Sequence, residues 1–261
     1  MQGDLFFTDS GKGFPVIFIH GFCETSEMWF DFTQPFIEDY RVITVDLPGF
    51  GKSPLPTGDF TIKDVAKHVL NLLDKLEIQK CAAVGHSLGG YVLLEMVNTQ
   101  PDRFTGFSLF HSTAFADDTE KKESRNKAIE FVEKRGVEVF VTSFVPPLFY
   151  VKNRKPLLKT IEKVVDIAAT TPQNTLISYT KAMRDRPDRT DVLNSFDGPI
   201  SFIAGDKDTS VPIEKTSEQV LIPKRAIVNI LQDTGHMGMF EQQERTTEII
   251  KDFLRLCTMP D

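Results

Sequence analysis

Short apolar runs recur along the chain at Val16 to His20 (VIFIH), Val42 to Asp46 (VITVD), Cys81 to Gly85 (CAAVG), Gly106 to His111 (GFSLFH), Ile200 to Ala204 (ISFIA) and Ala226 to Leu231 (AIVNIL). They are β-branched or aromatic and carry no polar alternation, the pattern of parallel strands covered on both faces. A hairpin is expected ahead of them, around Leu5 to Phe14. Longer stretches between the runs have helical spacing. In Thr61 to Leu76, Ile62, Val65, Ala66, Val69, Leu70, Leu73 and Leu76 fall on one helix face, and Thr61 with Asp64 forms a capping-box pattern. Leu88 to Thr99 and Glu241 to Leu256 read the same way. Strand alternating with helix predicts an α/β fold with a doubly wound, mostly parallel sheet.

One interval breaks the alternation. Between His111 and Ile200 lie four helical patterns: Glu120 to Arg135 closed by Gly136, Val137 to Phe144, Leu157 to Ala169, and Gln173 to Arg184. A structureless loop of that length is rare in a compact domain, so the interval is expected to be a helical cap over one end of the sheet. The expected division is a core of residues 1–111 and 194–261 with a cap of residues 112–193 inserted between core strands.

Composition narrows the functional classes. At 261 residues, 41% hydrophobic and 26% charged, the chain can bury a substantial core and lacks the bias of disordered, collagenous or coiled-coil sequences. It contains no run of 18 apolar residues, and Met1 to Ser10 lacks a basic segment followed by a long apolar one. A cytoplasmic protein without membrane insertion is the expectation. Cys23, Cys81 and Cys257 are odd in number and at no metal-ligand spacing, so free buried thiols are expected and no metal site. A net charge of −7, from 30 basic and 37 acidic residues, argues against nucleic acid as a partner. The sequence carries no signal for oligomeric state.

Candidate chemistry begins at Gly85-His86-Ser87-Leu88-Gly89-Gly90, a GxSxG pattern between an apolar run and a helical one. That context suits a nucleophile elbow, in which a serine occupies a sharp strand-to-helix turn and its neighbours lack side chains that would collide. The helix start then offers a positive dipole and the unpaired Leu88 N–H to an oxyanion. A serine hydroxyl needs a base. Of His20, His68, His86, His111 and His236, the last stands in Thr234-Gly235-His236, just beyond the final apolar run, where a loop at the carboxyl edge of the sheet would reach Ser87. An imidazole base needs a carboxylate in turn. Gly205-Asp206-Lys207-Asp208 follows the run ending at Ala204; Asp206 is placed to pin the turn, and Asp208 is preferred as the acid. Gly51-Lys52-Ser53 resembles the end of a phosphate-binding loop, but that motif needs glycine at position 46, which is Asp46, and Pro54 disfavours a helix starting at Ser53.

His20-Gly21, Asp46-Leu47-Pro48-Gly49-Phe50-Gly51-Lys52-Ser53, the elbow, the GDKD stretch and Gly235-His236 together resemble the α/β-hydrolase superfamily, in its serine-nucleophile branch with a helical cap. The resemblance covers nearly the whole chain, and the order Ser, Asp, His matches that family. It implies a Ser87, Asp208, His236 triad, with the backbone N–H of Phe22 joining that of Leu88 in the oxyanion hole. It also implies a pocket lined by Phe22, His111, Phe144 and Met237, and no dissociable cofactor. Relatives with aspartate in the elbow, the haloalkane dehalogenases and epoxide hydrolases, are disfavoured by Ser87. The menaquinone-pathway synthase of the family carries arginine after the Gly-Gly, where this chain has Tyr91. The expectation is a serine hydrolase forming an acyl-enzyme from a small carboxylic ester, thioester or lactone. Carbon–carbon hydrolysis or lyase chemistry on the same triad, or a small-molecule receptor, are the alternatives. Phe115, Phe131, Phe140, Phe144 and Phe149 with Met183 are candidates either for an acyl pocket or for the cap's own core.

Overall fold

The computed structural model describes residues 4–259; Met1 to Gly3, part of the stretch read for a leader, lie outside the described residues. Strands β1 (Phe7–Ser10), β2 (Phe14–Ile19), β3 (Tyr40–Val45), β4 (Cys81–His86), β5 (Phe104–Phe110), β6 (Ile200–Gly205) and β7 (Ala226–Leu231) form one sheet in the order β1-β3-β2-β4-β5-β6-β7. Helices α1 (Phe30–Thr33), α2 (Ile62–Lys75) and α3 (Leu88–Thr99) follow β2, β3 and β4 in turn. Between β5 and β6 come α4 (Thr119–Arg135), α5 (Val137–Phe144), α6 (Leu158–Ala169), α7 (Gln173–Arg184) and α8 (Thr190–Ser195). After β6 stands α9 (Ile213–Gln219), and after β7 stand α10 (Gly238–Glu241) and α11 (Gln243–Thr258). No helix of the described residues is long and apolar enough to cross a membrane.

Successive strand residues point to opposite faces, and in the central strands both faces are apolar. In β2, Ile17 and Ile19 join the α2 and α3 residues Val65, Val69, Val92 and Met96 on one side. Val16 and Phe18 join Trp29, Phe32, Phe36 and the α11 residues Ile250, Phe253 and Leu254 on the other. Each fully buried large apolar side chain contributes about 1.5–3 kcal/mol of transfer free energy, which is why the unbroken runs of β2 to β6 take the interior of the sheet.

Two expectations change. The hairpin does not form: β1 pairs antiparallel with β3, in the register Phe7↔Val45, and not with β2. Strand β2 has no free edge to offer, since β3 and β4 flank it in parallel, and the polar β1 takes the sheet border. At the other border β7 is not covered on both faces; Val228 and Ile230 remain 44% and 38% exposed. Among the cap candidates, Phe149 and Met183 are core residues, whereas Phe140 and Phe144 are half-buried and stack with ring centroids 5.2 Å apart.

Because β2 to β7 run parallel, their carboxyl ends share one edge. His20, Ser87, His111, Asp208 and His236 all lie at or just past those ends, where open α/β sheets place their ligand crevices.

Candidate active site

Ser87 joins β4 to α3 with φ 51° and ψ −114°, a conformation costing a non-glycine residue on the order of 1–3 kcal/mol. The turn is held from several sides. The Ser87 N–H donates to the Phe110 carbonyl at 3.0 Å, and the Ser87 carbonyl accepts the Gly90 N–H at 3.0 Å and the Ser112 hydroxyl at 2.7 Å. A Cβ on Gly85 would lie 2.6 Å from the Gly89 carbonyl oxygen, and one on Gly89 would collide with the Ile19 carbonyl of β2. Both glycines are therefore demanded by the approach of α3 to the sheet. Leu88 opens α3, and neither its N–H nor that of Phe22 donates a hydrogen bond among the described residues. Two unpaired donors thus stand on the elbow and on the turn after β2.

Asp208 follows β6 and is buried. Its Oδ1 accepts the N–H groups of Ser210 and Val211 at 2.8 and 2.9 Å. Its Oδ2 accepts Nδ1–H of His236 at 2.7 Å and Nδ1–H of His111 at 3.1 Å. Burial works against the charged carboxylate, but the neighbouring His236 and the hydrogen bonds from both imidazoles outweigh it and hold Asp208 well below the usual range. With Nδ1 of His236 committed to Asp208, its Nε2 is left as the acceptor. His111 differs, because its Nε2 already accepts the Gly238 N–H at 3.2 Å. Burial pushes its pKa down to about 4 against the hydrogen bond it donates to Asp208, so His111 stays neutral and supports the acid. The Ser87 hydroxyl makes no hydrogen bond to His236 in this structure; such contacts often tighten only around a bound substrate.

Asp206 is occupied elsewhere. It accepts the Thr234 N–H at 3.3 Å and pairs with Lys207 at 2.9 Å, pinning the turn. His111, Asp208 and His236 also offer ligating atoms within 4.8 Å of one another. Hydrogen bonds already join Asp208 Oδ2 to Nδ1 of both histidines, so the cluster is built to hold protons in place.

Two of the expected pocket residues are fully buried: His111 is bonded to Asp208, and Met237 packs in the apolar layer with the α11 residues Ile250 and Phe253. Phe22 and Phe144 do meet, edge to face, with centroids 6.0 Å apart, bringing cap helix α5 over the turn after β2. A separate cleft of about 290 Å³ opens between core and cap beside Tyr91, Phe115, Lys121 and Arg186, and includes none of Ser87, His236 or Phe22. Sequence reasoning also passed over Glu24 and His86. His86 occupies the variable position of GxSxG, yet it is fully buried and bonded through both ring nitrogens, to Glu24 Oε2 and to the His236 carbonyl, each at 3.0 Å. The only signal for it was a pair of ionisable residues near motif residues, Glu24 two positions after Phe22 and His86 next to Ser87.

A family profile described as alpha/beta hydrolase fold matches residues 15–128. The structure of an esterase from Thermogutta terrifontis superimposes with a TM-score of 0.92 at 29% identity, covering 98% of this chain and 94% of that one. The chain has the α/β-hydrolase fold. It is 26% identical to 3-oxoadipate enol-lactonase 1 of Acinetobacter baylyi, over 92% of this chain and 88% of the relative. It is 27% identical to the dihydrolipoyllysine-residue acetyltransferase component of the acetoin cleaving system of Pseudomonas putida. That match covers 93% of this chain, which spans only 64% of the relative's length.

Proposed function

We propose that the chain is a serine hydrolase that cleaves a small carboxylic ester or lactone through an acyl-enzyme. The observation that carries the proposal is the 2.7 Å bond between Asp208 Oδ2 and His236 Nδ1, which fixes the tautomer whose Nε2 can take a proton. His236 removes the proton of Ser87 as Oγ attacks the carbonyl carbon, and the N–H groups of Phe22 and Leu88 receive the oxyanion. Collapse expels the alcohol, which leaves with the proton held by His236; water, deprotonated by the same Nε2, then releases the acid and restores Ser87. For a lactone, alcohol and acid remain one molecule. The likeness to an esterase and to an enol-lactonase supports this substrate class. Three buried, unpaired cysteines suit a cytoplasmic address.

The test is steady-state hydrolysis of p-nitrophenyl acetate, butyrate and octanoate. The wild type is expected to turn over many times and Ser87→Ala not at all, while the chain-length trend sizes the acyl pocket. Asp208→Asn is expected to lower kcat by about 10³–10⁴-fold, and Asp206→Asn by less than about threefold, because it touches only a turn. Multiple turnover surviving in Ser87→Ala would sink the proposal.

A further inference from the structure

Glu24 and His86 connect the three loops that carry the site. Glu24 Oε2 accepts the Gly21 N–H at 2.6 Å, one residue before Phe22. The same oxygen lies 3.0 Å from His86 Nδ1, one residue before Ser87. His86 Nε2 lies 3.0 Å from the carbonyl oxygen of His236 itself. A Cβ on Gly21 would fall 2.8 Å from His86 Nδ1 and 2.9 Å from both carboxylate oxygens of Glu24, so the pair also explains that glycine. The peptide linking Gly21 to Phe22 is fixed from its other end, where His20 Nδ1–H donates to the Gly21 carbonyl at 2.8 Å and Nε2 accepts the Leu47 N–H at 2.9 Å. A trans peptide points its N–H opposite its C=O, so that bond aims the Phe22 N–H.

From this geometry we infer that Glu24 and His86 form a buried bridge whose task is to position the oxyanion turn at Phe22, the elbow at Ser87 and the base loop at His236 relative to one another. Neither side chain touches substrate; both are positioning residues, and the inference rests on the serine-hydrolase reading above. The proton inventory is specific. A carbonyl only accepts, so His86 Nε2 carries hydrogen, and one Glu24 oxygen must serve both Gly21 and His86 Nδ1. Burial opposes a charged His86, yet the Glu24 carboxylate and the hydrogen bonds to it outweigh burial and raise the imidazole above its ordinary value; Glu24 is lowered in response, consistent with an ion pair. A glutamine at position 24 presents either an oxygen or an NH₂ to these two partners and loses one of the three links. Trp29 and Phe110 meet the His86 ring edge to face at 6.3 and 6.1 Å, which stops it rotating. Replacing a buried ion pair with neutral groups of similar shape is often neutral or stabilising, whereas removing one partner is destabilising. A pair kept for positioning should therefore separate stability from rate.

The experiment compares wild type with Glu24→Gln, with the double variant Glu24→Gln/His86→Phe, and with Glu95→Gln. Glu95 is another buried carboxylate, paired with Arg189 at 2.9 Å towards the carboxyl end of α3 and bonded to none of the three site loops. Four quantities are read: kcat and KM on p-nitrophenyl butyrate, the second-order rate of Ser87 labelling by a fluorophosphonate, and Tm. Both bridge variants are expected to lose about 10- to 100-fold in kcat, the cost of slight misplacement of reacting groups. Labelling should fall in parallel, with KM changed by less than about threefold. The double variant should keep a Tm close to wild type, so its loss of rate is not loss of fold. Glu95→Gln should lower Tm and leave kcat alone. A folded double variant with wild-type kcat and labelling overturns the bridge. A wild type that labels at Ser87 but hydrolyses no ester overturns the ester reading, and the labelling rates still decide the bridge; a wild type that does neither removes both.

Discussion

His111 and His236 donate to the same oxygen of Asp208, and what each does with its second nitrogen separates their roles. Nε2 of His236 makes no hydrogen bond among the described residues and is the atom the proposed mechanism uses, while Nε2 of His111 accepts the Gly238 N–H, which requires a neutral ring. Its folded pKa of about 4 lies below the ordinary 6.5. The unfolded chain therefore binds a proton at His111 as pH falls below about 6.5, and the folded chain does not until about pH 4. The contribution of His111 to stability is complete above that window and is lost on acidification through it, by up to about 3 kcal/mol. His111→Gln should flatten the difference between urea unfolding free energies at pH 7.5 and pH 5; an unchanged difference would show that His111 is not held neutral. Ser87 was legible in the sequence because an elbow needs glycines at fixed offsets. The role of His111 was not, because it depends on Asp208 and Gly238, 97 and 127 residues away.

At the scale of elements, helical periodicity and caps translated almost directly. Helix α2 begins where Thr61 and Asp64 predicted: Thr61 Oγ1 accepts the Asp64 N–H at 3.2 Å and Asp64 Oδ2 accepts the Thr61 N–H at 3.1 Å. Thr61→Ala should cost about 1 kcal/mol of stability by urea unfolding and leave kcat unchanged, since the cap lies at the amino end of α2 and touches no site loop. A change of less than about 0.3 kcal/mol would mean that tertiary packing, rather than the cap, sets the start of α2. Strand existence was equally legible, and strand partnership was not. An apolar run announces that it will be buried, but β1 joined β3 because β2 was already flanked on both sides. The exposed face of β7 escaped notice because a border strand carries the same residue types as an interior one.

For the whole molecule, the two apolar layers and the inserted cap leave no thiol accessible. Burial pushes Cys81 and Cys257 up to about 12 and raises Cys23 as well. The native protein should therefore fail to react with Ellman's reagent over minutes and should release three equivalents once unfolded; reaction of a folded thiol would place a gap in one of those layers. The α/β architecture was written in the sequence, which also singled out Ser87, Asp208 and His236 as candidates, because periodicity, elbow glycines and chain order are local properties that survive without coordinates. Only the tertiary structure could decide that His111 shares the Asp208 carboxylate with His236 and that Glu24 reaches His86. Each is a contact between loops that meet only when parallel strands bring their carboxyl ends to one edge, and the directions of buried hydrogen bonds there are set by the packed whole.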